Sequence, residues 1–229
     1  RRPPRFRKLQ QTRGEPAPLS VMGARRGVGG ALFGVLWAML LLGVPVCLGW
    51  PQETQAADPA APWRALFRRP ATPPAVPADH PMTPERVALG ARLFADPRLS
   101  GRGDRSCATC HRPGLAFTDG RRRAQGLSGA SLRRNTPSLW NLAWSKHYFW
   151  DGRAPSLEAQ VRAPIETAEE MGAEWPAVLA GLEADAALAA GVRAAFGDGA
   201  SISQDTIVKA LASYVGSLVA PPTRFDAWL

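Results

Sequence analysis

Apolar positions recur at helical spacing in five stretches of this chain and alternate at strand spacing over no stretch of any length. Val87, Gly90, Ala91 and Phe94, with Leu93 beside them, mark a first helix. Thr83 suits its N-cap, Pro84 its first position and Glu85 the positive end of its dipole, while Asp96-Pro97 closes it. Ser156 caps a segment from Leu157 to Arg162 that Pro164 ends. Trp175 to Leu182, with Glu174 and Pro176 near its start, reads as a short helix, and Ala184 to Phe196 as an alanine-rich one interrupted at Gly191. Ser203 caps the last helix, whose Ile207, Ala210, Leu211, Tyr214 and Leu218 follow a 3.6-residue period until Pro221-Pro222 stops it. The pattern predicts an all-α fold with long loops.

The longest unpatterned region runs from Arg98 to Pro155 and is rich in Gly, Pro, Asn and Arg. A loop of that length in a compact domain needs something to organise it. Within it lies Ser106-Cys107-Ala108-Thr109-Cys110-His111, two cysteines three positions apart with histidine directly after the second. This is the c-type haem attachment pattern. Positions i and i+3 share one face of a helical turn, so both sulfurs can reach the vinyl groups of one porphyrin, and His111 can offer a ring nitrogen to the iron. A zinc site would want a further Cys or His pair, and the other candidates, Cys47, His80 and His147, are isolated. A thioredoxin-like pair would want a preceding strand, where the chain has Gly101-Arg102-Gly103-Asp104-Arg105. A plain Cys107–Cys110 disulfide is the bland alternative. A covalently held porphyrin would give the loop an apolar surface to wrap, with Phe117, Trp140, Trp144, Tyr148, Phe149 and Trp150 as candidate wrappers or as ordinary core. The fold class expected is a cytochrome c-like haem domain.

Charge and composition add the ends of the chain. The net charge of the 229 residues is +9, but residues 1–56 hold 8 Lys/Arg against 2 Asp/Glu, and residues 57–229 hold 20 against 17. The basic balance belongs mostly to the leader and does not argue for nucleic-acid binding. Arg25 and Arg26 followed by an apolar run from Val28 to Gly49 and by Thr54-Gln55-Ala56 read as a secretion signal with Met22 as its start. The same run is long enough for a membrane anchor; Pro45 favours the cleaved form. Export to the periplasm suits haem attached outside the cytoplasm. Residues 57–80, rich in Ala and Pro, read as an extended tether, and residues 81–229 as the folded body.

Several blocks in order then resemble the amino-terminal haem domain of the bacterial di-haem cytochrome c peroxidase and MauG family, from about Pro84 to Leu229. They are Leu89-Gly90 with Leu93-Phe94, Asp96-Pro97-Arg98-Leu99-Ser100, the haem motif, Phe117-Thr118-Asp119-Gly120, Arg134-Asn135-Thr136-Pro137-Ser138-Leu139-Trp140-Asn141, Phe149-Trp150-Asp151-Gly152-Arg153, Glu170-Met171-Gly172 and Phe225-Asp226. The resemblance implies one covalent haem c held by Cys107 and Cys110, with His111 as proximal iron ligand. It makes Glu170 the distal acid/base, Gln160 its distal neighbour, Trp150 the tryptophan between two haems, and Asn135 part of a calcium site. It implies hydrogen peroxide as substrate and a c-type cytochrome or cupredoxin as electron donor. A carboxylate above the iron can shuttle the proton that peroxide cleavage requires if an apolar site raises its pKa.

Two departures from the family pattern shape the expectation. The interval from Arg112 to Arg133 lacks the histidine with which many such peroxidases cap the iron at rest, as in the MauG branch. Only one haem motif is present, so the expected protein is the first half of a di-haem enzyme, truncated or completed by a second haem domain or by dimerisation. The competing readings are an electron-carrier cytochrome, with Met82 or Met171 as sixth ligand, a MauG-like oxidant of a protein substrate, and a redox-partner module inactive alone.

Overall fold

The computed structural model describes residues 58–70 and 81–229. The leader with Cys47, the apolar run and His80 lie outside the described residues. Eight α-helices are described: α1 (Ala61–Phe67), α2 (Pro84–Phe94), α3 (Cys107–Cys110), α4 (Leu157–Glu166), α5 (Trp175–Glu183), α6 (Ala186–Phe196), α7 (Gln204–Ser217) and α8 (Arg224–Trp228). No β-strand occurs among the described residues, only three isolated bridges, and the class is all-α. No single described helix is long and apolar enough to cross a membrane.

The two ends of the body pair at its centre. α2 lies along α7, with α6 and α4 packed onto the pair. The approach of α2 to α7 is close because residue 90 has no side chain: a Cβ there would sit 2.0 Å from the Ala210 carbonyl oxygen. Leu93, Ile165, Leu188, Ile207 and Leu211 on these helices, and Leu182 on α5, are fully buried, each worth roughly 1.5–3 kcal/mol of burial. The caps act as the residue types dictate: Thr83, Ser156 and Ser203 each accept a backbone N–H three residues on.

Five local departures from the sequence reading have physical causes. Pro164 does not end α4, which continues to Glu166. The helix forgoes one bond at the proline because Ile165 beyond it is fully buried and the Thr167 N–H and hydroxyl both return to the Ala163 carbonyl. The helix expected from Ala184 begins at Ala186, where Asp185 accepts from the Leu188 N–H. Gly191 does not interrupt it; a Cβ there would meet only the Leu89 Cδ1 atom, at 3.3 Å. Residues 61–67, expected to be extended, form α1 with Pro62 in its first turn. Beyond Pro221-Pro222, Thr223 and Asp226 cap each other and start α8.

The region from Arg98 to Pro155 is a chain of pinched turns. The bridges Arg112–Thr118, Gln125–Ser131 and Tyr148–Ala154 each close one of them. These turns carry the haem motif and most of the residues singled out with it.

Candidate haem site

Ser106 opens the central turn, its backbone N–H donating to Thr109 Oγ1 at 3.0 Å. The turn then runs for a single helical revolution, and His111 closes it by donating its backbone N–H to the Cys107 carbonyl at 2.8 Å. Both thiols are free and half-buried. His111 Nδ1 lies 2.8 Å from the Phe117 carbonyl oxygen. A carbonyl only accepts, so Nδ1 carries the proton and Nε2 keeps its lone pair, the arrangement that second-shell bonds impose on metal-binding imidazoles. The carbonyl is delivered by consecutive left-handed residues, Ala116 (φ 54°) and Phe117 (φ 56°), a conformation costly for side chains of this kind. Ser138 secures the bend by donating its hydroxyl to the Ala116 carbonyl at 2.7 Å.

The surroundings are apolar with a few polar exceptions. The Phe94 ring centroid is 6.4 Å from that of His111 and 6.3 Å from that of Phe117, and Phe117 meets Trp140 edge-on at 4.9 Å. Burial pushes the Cys107 thiol up to about 12 and also raises Cys110. A thiolate is therefore disfavoured here, whereas a thioether carries no charge and suits the same burial. Burial lowers His111, against the Phe117 and Pro137 carbonyls and the Asp119 charge, all of which favour a proton on the ring. Two buried polar atoms nearby have no hydrogen-bond partner, Arg105 Nε and Asp119 Oδ2, and both side chains act electrostatically on Cys110. Two neighbouring uncharged thiols, a ring nitrogen with a fixed lone pair and the unpartnered Asp119 Oδ2 fit a covalently attached haem.

Glu170 lies on the turn after α4, half-buried, with a backbone N–H donated to the Thr167 carbonyl at 2.9 Å. Desolvation raises its carboxyl above the ordinary glutamate range, opposed by Arg153 and aided by Glu169. Its charge acts on the Cys110 thiol in the same sense as Asp119, after the larger effects of burial and Arg105. The turn is clamped from two sides: Gly101 donates to the Met171 carbonyl at 2.8 Å and Leu127 to the Glu169 carbonyl at 2.7 Å. A Cβ at Gly101 would lie 2.1 Å from the Gly172 carbonyl oxygen, so only glycine permits the contact. Gly101, Arg105 and Asp119 were not singled out from the sequence as site residues. Asp119 stands in a quoted block, but burial of one unpaired oxygen is visible only in three dimensions. Gln160 sits half-buried within α4.

Trp150 and Asn135 lie together but apart from that cluster of contacts. Trp150 is 60% exposed and its Nε1 donates to the Asn135 carbonyl at 3.3 Å. They line an open hollow of about 360 Å³ with Arg122, Arg123, Arg133 and Arg134. Four guanidiniums beside Asn135, and no group of three or more acidic, His or Cys ligands among the described residues, do not fit a calcium ion. Of the other aromatics, Phe117 and Tyr148 are buried, Tyr148 donating its hydroxyl to the Ser145 carbonyl at 3.1 Å. His147 is exposed, Met171 is buried in the core, and Met82 rests its sulfur against Gly216.

A family model described as di-haem cytochrome c peroxidase matches residues 84–229. The chain is 43% identical to the methylamine utilization protein MauG of Methylorubrum extorquens over 200 residues, which cover 85% of this chain and 56% of that protein. It is 35% identical to the cytochrome c peroxidase Ccp of Escherichia coli over 155 residues, 67% of this chain and 33% of that one. Among solved structures, a MauG-like protein associated with microbial copper homeostasis superposes with a TM-score of 0.65 at 36% identity, over 71% of this chain and 49% of its own. The chain spans about half, or less, of the length of these relatives.

Proposed function

Since the chain belongs to the di-haem cytochrome c peroxidase family, we propose that residues 81–229 act as its exported, peroxide-reacting haem domain, drawing electrons from a c-type cytochrome or cupredoxin or from a protein that it oxidises. The observation that carries this reading is the Cys107–Cys110 turn closed by a histidine whose tautomer the Phe117 carbonyl fixes; the half-buried Glu170 carboxyl, its pKa raised by burial, supports it.

Haem c, bound through Cys107 and Cys110, supplies the redox-active iron. His111 would present to that iron the nitrogen not engaged by Phe117, and the buried rings of Phe94 and Phe117, with the half-buried Trp140 against them, exclude water around it. Glu170 takes a proton from one peroxide oxygen on its carboxylate and returns it to the departing oxygen, which leaves as water. Reduction of one peroxide to two waters consumes two electrons and two further protons, the electrons coming from the donor. Gln160 is the second polar group assigned to the distal side with Glu170, and Trp150, exposed next to Asn135, is the electron's way in. The interval Arg112 to Arg133 holds no imidazole to close off the peroxide side.

Expression of the full chain in a host that attaches haem to Cys-x-x-Cys-His motifs tests the reading. The expected product carries haem covalently, is high-spin in the ferric state and changes its spectrum on adding one equivalent of peroxide. A low-spin ferric protein inert to peroxide would sink it in favour of an electron carrier.

A further inference from the structure

Asp119 is a buried acid, 8% exposed, with no part in the proton path of Glu170. Its Oδ1 accepts the Arg121 backbone N–H at 3.0 Å, while its Oδ2 is buried and has no hydrogen-bond partner among the described residues. A carboxylate taken out of water is expensive unless donors or a positive charge offset it.

The turn that carries Asp119 is tightly bonded. Arg112 donates its backbone N–H to the Thr118 carbonyl at 3.2 Å and accepts from the Phe117 N–H at 2.9 Å. The Thr118 hydroxyl donates to the Leu115 carbonyl at 2.9 Å and accepts the Gly120 N–H at 3.1 Å. The chain leaves through Gly120 at φ 70°, a conformation that glycine adopts without strain. Two residues before Asp119, the same turn brings the Phe117 carbonyl to His111 Nδ1. One loop thus holds both the hydrogen bond of the His111 ring and a buried acid. Asp119 is the charged side chain that acts on that ring, after burial and the Phe117 and Pro137 carbonyls; it acts on Cys110 as well, there opposed by Arg105 and Arg112.

The charge that offsets such a carboxylate is the cofactor's own. A haem ring with ferric iron carries a net positive charge, and the same ring with ferrous iron carries none. A fixed negative charge beside the proximal ligand is compensated in the first case and left uncompensated in the second. Adding an electron then becomes harder, and oxidation beyond ferric becomes easier.

From this we propose that Asp119 is a positioning residue acting through His111, its buried carboxylate set beside the proximal ligand to lower the reduction potential of the iron. The proposal rests on the haem reading of the Cys107–Cys110 turn and adds to it the charge that keeps the resting iron ferric. The competing account is structural: Asp119 Oδ1 holds the Arg121 N–H, a bond that asparagine makes equally well.

Spectroelectrochemical titration of the full-length holoprotein at pH 7 separates the two. Asp119→Asn keeps the shape and the Arg121 acceptor and removes the charge; Asp119→Ser also keeps an acceptor and buries no amide. Each is expected to shift the ferric–ferrous equilibrium about tenfold toward ferrous, a rise of about 59 mV for a one-electron couple. Asp198→Asn, at an exposed position beyond α6, should leave the midpoint where it is in the parent. A midpoint unchanged or lowered in the Asn and Ser variants would overturn the proposal. So would an equal rise in Asp198→Asn, which would make the effect one of net charge. Loss of folding in both Asp119 variants would overturn it too, by assigning the carboxylate to structure. The measurement uses no peroxide: a haem protein inert to peroxide still has a midpoint to shift, so failure here is distinct from failure of the peroxidase reading.

Discussion

Glu170 lies where sequence and environment pull a carboxyl in the same direction. Burial raises its pKa, with Arg153 opposing. A group with a raised folded pKa binds more protons folded than unfolded, so its ionisation costs stability as pH climbs through that range. Glu170→Gln removes this cost, and the variant is expected to unfold at a higher temperature than the parent at pH 7 and at the same temperature near pH 3. The same titration controls reactivity, since only the ionised carboxylate accepts the first proton. The rate constant of the peroxide reaction, followed by stopped flow, should rise with pH through a pKa above the ordinary glutamate value. In Glu170→Gln it should be slower by about 10²–10⁴-fold and lose that inflection, with haem attachment unchanged. An unaltered profile would remove Glu170 from the proton path. Glu170 could be picked out in sequence only through its block, because Glu166 and Glu169 are its near neighbours and composition does not separate them. What separates them is burial on a turn that Gly101 and Leu127 clamp from distant parts of the chain.

Among the elements, those with caps and a clear period were legible: α2, α5 and α7 start where Thr83, Glu174 and Ser203 indicated. Elements whose ends depend on tertiary burial were not. Pro164 is a helix breaker locally, and only the buried Ile165 makes continuation worthwhile. The two helical glycines show the same division. Gly90 and Gly191 both look like helix-weakening residues in sequence, yet a Cβ at Gly90 would strike the Ala210 carbonyl and Tyr214 Cβ at 2.0 and 2.7 Å, while one at Gly191 meets only a Leu methyl. Gly90→Ala should therefore push α2 off α7 and cost about 1–3 kcal/mol or more. Gly191→Ala should stay within about 0.5 kcal/mol of the parent, since the helix propensity gain offsets a small shift of Leu89. Urea unfolding of the two variants side by side checks the contrast. In the same assay Ser203→Ala should cost about 1 kcal/mol through loss of the α7 cap.

On the scale of the whole molecule, the segment around α1 is clasped to the end of the body. Arg69 donates Nε to Asp226 at 2.8 Å and its terminal nitrogens to the Ala220 and Pro221 carbonyls, both at 2.8 Å, so one guanidinium fastens the segment after α1 to the start of α8. Phe67 meets Phe225 edge-on at 6.1 Å, and the Arg64 guanidinium lies 5.0 Å over the Trp228 ring. These rings are half-exposed and the helices have only seven and five residues, too short to persist alone. The clasp is thus ionic first and apolar second. Arg69 holds the Asp226 carboxyl well below the usual carboxylate range, with Thr223 assisting. A depressed carboxylate contributes its stability above the unfolded-state value and loses it as pH falls through the folded one. Arg69→Ala should therefore open the clasp at pH 7, exposing the bonds after Arg64 and Arg68 to trypsin in the folded protein while the peptide bonds within α2 and α7 stay protected. In the parent, cleavage by pepsin within residues 61–70 should be slow at pH 4 and quicken as pH falls below the ordinary aspartate value. Raised ionic strength should loosen the clasp in the same sense but less, since the direct Arg69–Asp226 contact is short compared with the screening length. Cleavage there at equal rates in parent and Arg69→Ala would show that the aromatic contacts alone hold the ends together.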